Sequence, residues 1–116
     1  ETNPRELAAD WLALQRLTSA ELGIIRREEG LSRAQQWLAS GPVKERPDLN
    51  PHYLELQNMR LLVRLMLAAA SARRESRGSH YRADYPDTDP AWAKRLIHSS
   101  QGISELAAEL PFTWNW

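Results

Sequence analysis

Apolar residues recur every three to four positions along the first part of this chain, the spacing of a helix with one buried face. Asn3 and Pro4 form a helix start, because asparagine is a preferred N-cap and proline is favoured at the first helical position. The apolar positions of this first predicted helix are Leu7, Trp11, Leu14 and Leu22. Thr18 and Gly23 are weak helix formers, so we predict that the helix kinks or ends between residues 18 and 27.

A second, shorter helix is predicted from Ser32 to Ala39. Gly30 separates it from the first helix, and a Ser-Gly-Pro sequence at residues 40–42 ends it. Residues 41–51 contain three prolines and a glycine, so we expect neither helix nor strand to persist there. This segment is predicted to connect the second helix to the third.

The longest predicted helix begins at Asn50-Pro51 and runs to about Arg77, where Gly78 can adopt the left-handed conformation that closes a helix. Its apolar residues form a wide stripe that we expect to be the buried face. The stripe consists of Leu54, Leu61, Leu62, Leu65, Met66, Ala69 and Ala72, and it is broadened toward burial on several sides by Met59, Val63 and Ala70. The pattern therefore predicts a central helix.

The C-terminal part of the chain has no long periodic segment. Asp89-Pro90 starts a short predicted helix over residues 91–98. Residues 103–110 fit one or two last helical turns. The final residues alternate aromatic and polar side chains from Phe112 to Trp116, a pattern that fits either an edge strand or a tail folded back on the helices. Both interpretations of this tail stay open.

These segments predict an all-α protein, a three-helix bundle of the up-down-up, spectrin-repeat-like kind with a short helical or irregular C-terminal tail. Plentiful Ala, Leu, Arg, Glu and Gln, with few β-branched residues, support that class. We expect one domain over residues 1–116. It would comprise the bundle at 4–78, a loop at 79–90, the short helix at 91–98 and the tail at 99–116.

Composition excludes several classes of protein. The chain has 116 residues and no cysteine, so a disulfide, a thiolate metal site and a cysteine nucleophile are excluded, and a cytoplasmic location is expected. No apolar run approaches the roughly 18 residues of a membrane-spanning helix. The sequence starts at Glu1 rather than at methionine, which suggests a fragment or a processed chain.

Residues 73–86 hold the densest cluster of charged and aromatic side chains. Its candidate functional residues are Arg74, Glu75, Arg77, Gly78, His80, Arg82, Asp84 and Tyr85. Arginines beside tyrosines suggest nucleic-acid binding, but 15 Lys+Arg balance 15 Asp+Glu in the chain, so no extended positive field is expected. Alternating arginines and carboxylates instead favour a fixed polar joint between packed surfaces over a solvated charge run.

Nothing in the sequence indicates catalysis by this chain alone. His52, His80 and His98 have no metal-ligand spacing, and the five glycines form no phosphate-binding loop. We therefore assign no catalytic, cofactor-binding or metal-binding residue. His80 is expected to be a hydrogen-bonded interface residue.

The cluster resembles the signature E-S-R-G-x-H-x-R-x-D-Y-P of the C-terminal helical domain in L-aspartate oxidases and in the flavoprotein subunits of succinate dehydrogenase and fumarate reductase. The matching residues are Glu75, Ser76, Arg77, Gly78, His80, Arg82, Asp84, Tyr85 and Pro86. Residues 54–59 resemble the E-L-x-N-M start of that domain's long helix. Residues 23–31 resemble the G-I-V-R-x-x-E-G-L of L-aspartate oxidases, and the likeness extends over about residues 14–98.

The resemblance implies a complete enzyme that uses FAD to oxidise L-aspartate to iminoaspartate and supplies quinolinate synthase in de novo NAD biosynthesis. Its flavin and capping domains would lie outside these residues, so no cofactor is expected in this segment. The eight candidate residues would form an interface with the flavin domain, and Arg77 would be a structural tie there. The partners would be those domains of the same polypeptide, not nucleic acid or a membrane.

Two alternatives remain. Succinate dehydrogenase and fumarate reductase subunits share the central signature, although Tyr81 and residues 26–31 favour L-aspartate oxidase. A free-standing helical interaction module descended from such a domain is the other, from a different functional class.

Overall fold

The computed structural model describes residues 3–40, 49–99 and 102–105. Three helices form most of it: α1 spans Pro4–Glu21, α2 spans Glu28–Ala39 and α3 spans Pro51–Ala72. All three contribute to one apolar core, whose buried residues are Leu14, Leu22, Leu31, Ala34, Leu38, Leu56, Val63, Leu67 and Ala70. The predicted all-α three-helix class is confirmed, while the up-down-up direction of the helices stays a prediction.

The starts of α1 and α3 follow the sequence signals. The Asn3 side chain accepts a hydrogen bond from the backbone N–H of Arg5 at 3.0 Å, and Pro4 opens the helix. The Asn50 side chain likewise accepts a hydrogen bond from the backbone N–H of His52 at 3.0 Å. An N-cap satisfies a backbone donor that has no partner within its own helix. Helix α1 ends at Glu21, inside the window where a kink or end was predicted.

Helix α2 begins four residues before the predicted Ser32, at Glu28. Gly30, expected to separate the two helices, is a buried residue inside α2. The two acidic residues of the first turn, Glu28 and Glu29, complement the positive end of the helix dipole. That favourable charge placement offsets the low helix propensity of the glycine.

The buried face of α3 was predicted only in part, at Val63 and Ala70. Leu56, Val63, Leu67 and Ala70 enter the core, whereas Leu62, in the middle of the predicted stripe, is 48% exposed. The physical reason is that α3 is apolar on two opposite sides, so periodicity alone does not decide which side meets α1 and α2. The large residues of the main predicted stripe therefore lie on the outer side of α3.

Helix α3 also ends earlier than predicted, at Ala72 instead of about Arg77. The carbonyl groups of its last turn are taken by side chains from farther along the chain. Arg82 Nη1 donates to the carbonyls of Ala70 and Ser71 at 3.1 and 3.0 Å. Because these acceptors are satisfied, the backbone is free to turn away after Ala72.

The prediction of a short helix over residues 91–98 is wrong. A single 3₁₀ turn spans Pro90–Trp92, with the Asp89 carboxylate accepting from Ala91 N–H at 2.9 Å. Strand β1 (Leu96–Ser99) then pairs antiparallel with strand β2 (Gly102–Glu105), with Leu96 opposite Glu105. β2 replaces the start of the helical turns predicted over residues 103–110. The rest of that segment and the aromatic tail lie outside the described residues.

No helix within residues 3–40, 49–99 and 102–105 has both the length and the apolar character needed to cross a bilayer.

Candidate functional site, an arginine and carboxylate network

The signature segment folds into two consecutive tight turns. Arg77 and His80 exchange both backbone hydrogen bonds, at 2.8 and 3.0 Å, across Gly78 and Ser79. Gly78 has a φ of 58°, a conformation that glycine adopts without the strain that a side chain would introduce. The next turn is closed by Tyr85 N–H donating to the Arg82 carbonyl at 3.1 Å. The turns bring side chains from both ends of the segment together.

Ser76 ties these turns to each other. Its buried hydroxyl accepts the backbone N–H of Arg82 at 2.9 Å and donates to the carbonyl of Tyr85 at 2.7 Å. The Thr88 hydroxyl donates to the carbonyl of Ser76 at 2.7 Å. A hydroxyl can be both donor and acceptor, so one small side chain satisfies two backbone groups of a compact loop.

Arg82 lies at the centre of the network, with its side chain fully buried. Nε and Nη2 form a bidentate pair with Asp84, at 3.0 and 2.7 Å. Nη2 also donates to Glu28 Oε2 at 2.9 Å, and Nη1 donates to the two carbonyls at the end of α3. All five N–H donors of the guanidinium are thus used, and this residue joins the signature to both α2 and α3.

Asp84 connects the same network to the start of α2. Its Oδ2 accepts the backbone N–H of Glu28 at 3.3 Å, so a carboxylate 56 residues away caps this helix. The helix N-terminus favours negative charge. The hydrogen bond from Arg82 lowers the pKa of Asp84, against the opposing effect of desolvation.

Glu75 forms a second ion-pair centre. Its fully buried carboxylate accepts Arg77 Nε and Nη2 at 2.8 and 3.2 Å, Arg73 Nη1 at 2.8 Å and the backbone N–H of Asp89 at 2.9 Å. The Arg77 hydrogen bond is the largest cause that lowers the pKa of Glu75 to about 2, followed, against desolvation, by Asp89 and Arg73. Arg77 is 40% exposed and also donates to the carbonyl of Asp89 at 3.2 Å.

Arg73 fastens the segment after the signature. It donates to the carbonyls of Trp92 and Lys94, at 2.6 and 2.7 Å, and its guanidinium carbon lies 5.8 Å from the Trp92 ring centroid. These contacts hold the 3₁₀ turn against the end of α3. They also explain why this polar segment is ordered without a regular helix.

His80 connects the signature to the turn between α1 and α2. Arg26 Nη1 lies 3.0 Å from His80 Nδ1, and His80 Nε2 lies 2.9 Å from the carbonyl of Arg73. Since a guanidinium only donates, Nδ1 is the acceptor and the proton is on Nε2. Burial is the largest cause that lowers the pKa of His80, and the charges of Arg26, Arg82 and Arg73 add to it, against the Arg73 carbonyl. The imidazole is therefore neutral.

The structure brings most of the predicted cluster into contact with itself and with the helices. Tyr85 lies under Arg82, with 5.1 Å from the guanidinium carbon to the ring centroid. Arg74 is the exception, since it is exposed and forms no hydrogen bond or ion pair with a residue that the structure describes. The expected role of the cluster as an interface with another domain stays a prediction.

The eight candidate residues did not include four members of the network: Arg26, Glu28, Arg73 and Ser76. Glu28 and Arg26 belong to the stretch at residues 23–31 that resembles L-aspartate oxidases, which was the available signal. Arg73 and Ser76 stand beside candidate residues in the sequence. Every buried side-chain polar atom among the described residues has a hydrogen-bond partner, so these contacts fix the relative positions of the helices and the turns. The same residues contain no group of histidines and carboxylates able to hold a metal ion.

Comparison with known proteins identifies the family. Residues 47–109, more than half of the chain, match the sequence model described as "Fumarate reductase flavoprotein C-term". The chain belongs to this family of flavoprotein C-terminal domains. The match contains the whole of α3 and the ion-pair network after it, so it covers the region whose geometry is described above.

Curated relatives of this flavoprotein family extend the likeness beyond α3. An L-aspartate oxidase of Rhodospirillum rubrum is 43% identical over 93% of the chain and 41% of its own length. An L-aspartate oxidase of Pseudomonas aeruginosa is 36% identical over 72% of the chain and 16% of its own length. A fumarate reductase (CoM/CoB) polypeptide of Methanothermobacter marburgensis is 48% identical, over 38% of the chain and 8% of its own length. The chain thus spans less than half the length of these relatives, and no solved structure matches it.

The described residues do not fit an FAD-binding site. A dinucleotide pyrophosphate needs an uncapped helix N-terminus and a glycine-rich turn. Here the N-termini of α1, α2 and α3 are each occupied, by the side chains of Asn3, Asp84 and Asn50. The cap on α2 is itself an anion.

Proposed function

We propose that this chain is the C-terminal structural domain of an FAD-dependent L-aspartate oxidase. The complete enzyme would oxidise L-aspartate to iminoaspartate, which quinolinate synthase would consume in de novo NAD biosynthesis. The chain itself would pack on the flavin domain and contribute no catalytic residue. Its likeness to the Rhodospirillum L-aspartate oxidase over 93% of its length supports this assignment.

One structural observation carries the choice of L-aspartate oxidase within the family. The stretch at residues 23–31, which resembles L-aspartate oxidases, is bound directly to the signature that the whole family shares. Arg26 contacts His80 at 3.0 Å, and Glu28 contacts Arg82 at 2.9 Å. The two stretches act as one structural unit, so their joint presence favours the enzyme that has both.

The test is reduction of the bound flavin in the full-length polypeptide that carries this chain. The purified protein is mixed anaerobically with L-aspartate, and the loss of oxidised-flavin absorbance is followed. We expect bleaching by L-aspartate and none by D-aspartate, the matched control. A full-length protein that retains FAD but is not reduced by L-aspartate would contradict the assignment.

A fumarate reductase or succinate dehydrogenase flavoprotein is the second candidate. The 48% identity of a 44-residue stretch to the Methanothermobacter fumarate reductase polypeptide favours it. The same apparatus distinguishes the two enzymes, because succinate would then bleach the flavin and L-aspartate would not. A reading frame with no flavin domain would instead support a free-standing interaction module.

A further inference from the structure

Helix α3 carries an unusually apolar surface on the side away from the core. Five large residues, 40–55% exposed, form what we name the outer face: Leu54, Leu61, Leu62, Leu65 and Met66. Their spacing of three, four and seven residues puts them on one side of the helix. A contiguous exposed apolar face of this kind marks an interaction site, since single exposed apolar residues are common but stripes are not.

The outer face leads into a cleft at the C-terminal end of α3. The cleft has a volume of about 270 Å³, and Met66 belongs to both surfaces. Leu22 and Ala69 supply apolar lining, while Arg26, Arg73 and His80 supply polar lining. The combined surface is therefore apolar along the helix and cationic at one end.

One positive charge of the cleft, that of Arg26, is not balanced by a carboxylate among the described residues. Arg73 is paired with Glu75, and the buried Arg82 is paired with Asp84 and Glu28. Arg26 is partly buried, and its guanidinium contacts the carbonyl of Gly23 at 3.3 Å and the neutral ring of His80 at 3.0 Å. Among the residues that the structure describes, no carboxylate reaches it. A partly buried cation without a counter-charge favours an anionic partner.

We infer that the outer face of α3 and the Arg26 cleft form one docking surface for the FAD-binding part of the same polypeptide, which presents an apolar surface and a carboxylate that pairs with Arg26. This inference rests on the proposed function. The matched segment covers 41% of the Rhodospirillum relative and 16% of the Pseudomonas relative, so most of each lies outside it. A domain on the same polypeptide has a high effective concentration at this surface. The additional length of these relatives is enough for such a domain, so we take it as the occupant of the docking surface.

The absence of cysteine in the chain allows a direct test of the outer face. Leu62→Cys and Leu65→Cys introduce single thiols on it, and Leu12→Cys on α1, where Leu12 is 45% exposed, is the matched control. Each variant is alkylated with a maleimide in the 116-residue chain and in the full-length flavoprotein, and the labelled peptide is quantified by mass spectrometry. Thiol reactivity follows exposure.

We expect the two outer-face thiols to react at least about tenfold more slowly in the full-length protein, because docking removes them from solvent, while the Leu12→Cys rate stays within about twofold. Equal rates for Leu62→Cys in both proteins would overturn the inference. Protection that appears in the 116-residue chain and rises with its concentration would instead identify a second copy as the occupant, and also overturn it.

The carboxylate is tested through His80, which faces Arg26, Arg73 and Arg82. Its titration is followed by histidine-ring NMR in both proteins. A carboxylate docked at Arg26 partly cancels these positive charges, so the pKa of His80 should be higher in the full-length protein. Docking also buries the imidazole further, which lowers its pKa, so a rise in the full-length protein would identify the carboxylate.

These outcomes are separable from those of the proposed function. Protected outer-face thiols in a protein that retains FAD but does not oxidise L-aspartate would support the docking surface and contradict L-aspartate as the substrate. A protein that oxidises L-aspartate while the thiol of Leu62→Cys stays fully reactive would support the proposed function and contradict the docking surface.

Discussion

Arg82 shows why the centre of the network is arginine. Its planar guanidinium presents five donors in fixed directions, and five acceptors on three parts of the chain receive them. Lysine has three donors on a single nitrogen. No placement of that nitrogen satisfies both a bidentate carboxylate and the two carbonyls at the end of α3.

Replacing Arg82 with lysine is therefore expected to destabilise the 116-residue chain by roughly 3 kcal/mol, the lower end of the range for breaking a buried ion pair. Urea unfolding followed by circular dichroism gives the change in the free energy of unfolding. Arg74→Lys is the matched control, expected to change it by less than about 0.5 kcal/mol because that side chain is exposed. Equal effects of the two substitutions on the free energy of unfolding would contradict a central role for Arg82 in stabilising the fold.

Glu75 links stability to pH. Its pKa is lowered from 4.5 to about 2 in the folded chain, chiefly by the hydrogen bond from Arg77, so the folded state favours the ionised form. Its stabilisation is complete above the unfolded pKa and is lost as pH falls through the folded one. Asp84 acts in the same direction, because its pKa is also lowered.

Acid titration of Glu75→Gln checks this linkage. The wild-type chain should lose stability steeply between pH 4.5 and about 2, and the variant, which has no carboxyl at this position, should lose less over that interval. The measurement is the urea midpoint at successive pH values. Parallel curves for the two proteins would show that Glu75 is not the group responsible.

The sequence predicted the type of interaction at this site better than it predicted which residues contact each other. Alternating arginines and carboxylates at residues 73–86 were enough to predict a polar joint made of bidentate pairs. Arg26 and Glu28 could not be paired with His80 and Arg82 from spacing, because each contact crosses 54 residues of sequence. Such pairings are set by how the helices pack, and a local pattern does not contain that information.

At the scale of the helix, two leucines of α3 are expected to differ sharply in their contribution to stability. Leu67 is fully buried in the core, and Leu62, five residues earlier, is 48% exposed on the outer face. In the 116-residue chain, Leu67→Ala should cost about 2 to 5 kcal/mol of unfolding free energy and Leu62→Ala less than about 1 kcal/mol. A larger loss for Leu62→Ala would mean that the outer face is buried in the isolated chain.

The boundaries of the helices show what sequence signals can and cannot predict. Local caps at Asn3 and Asn50 fixed the starts of α1 and α3, and both were predictable. The start of α2 depends on the remote carboxylate of Asp84, and the end of α3 depends on Arg82. Both were predicted wrongly, because their caps come from another part of the chain.

The strand β1 has a similar explanation. Residues 91–98 carry a helix start and suitable apolar spacing, yet Arg73 binds the carbonyls of Trp92 and Lys94. A helix would use such carbonyls for its own hydrogen bonds. Tertiary contacts therefore overrode the local helical preference, and the chain continued into a hairpin.

For the molecule as a whole, the occupied helix N-termini predict that the 116-residue chain does not bind FAD. Flavin fluorescence is titrated with the purified chain, and no quenching is expected at micromolar concentrations. The full-length protein should be yellow. Saturable binding of FAD by the isolated chain would contradict the division of roles between this domain and the rest of the polypeptide.

The Arg82 contacts also set an order of events during synthesis. A ribosome adds the residues of α1, α2 and α3 before it adds Arg82, which binds Glu28 and the final carbonyls of α3. Until then the three helices can associate through apolar contacts alone, without the pairs that fix their ends. A released chain that is truncated before Arg82 is therefore expected to be loosely packed and open to proteases.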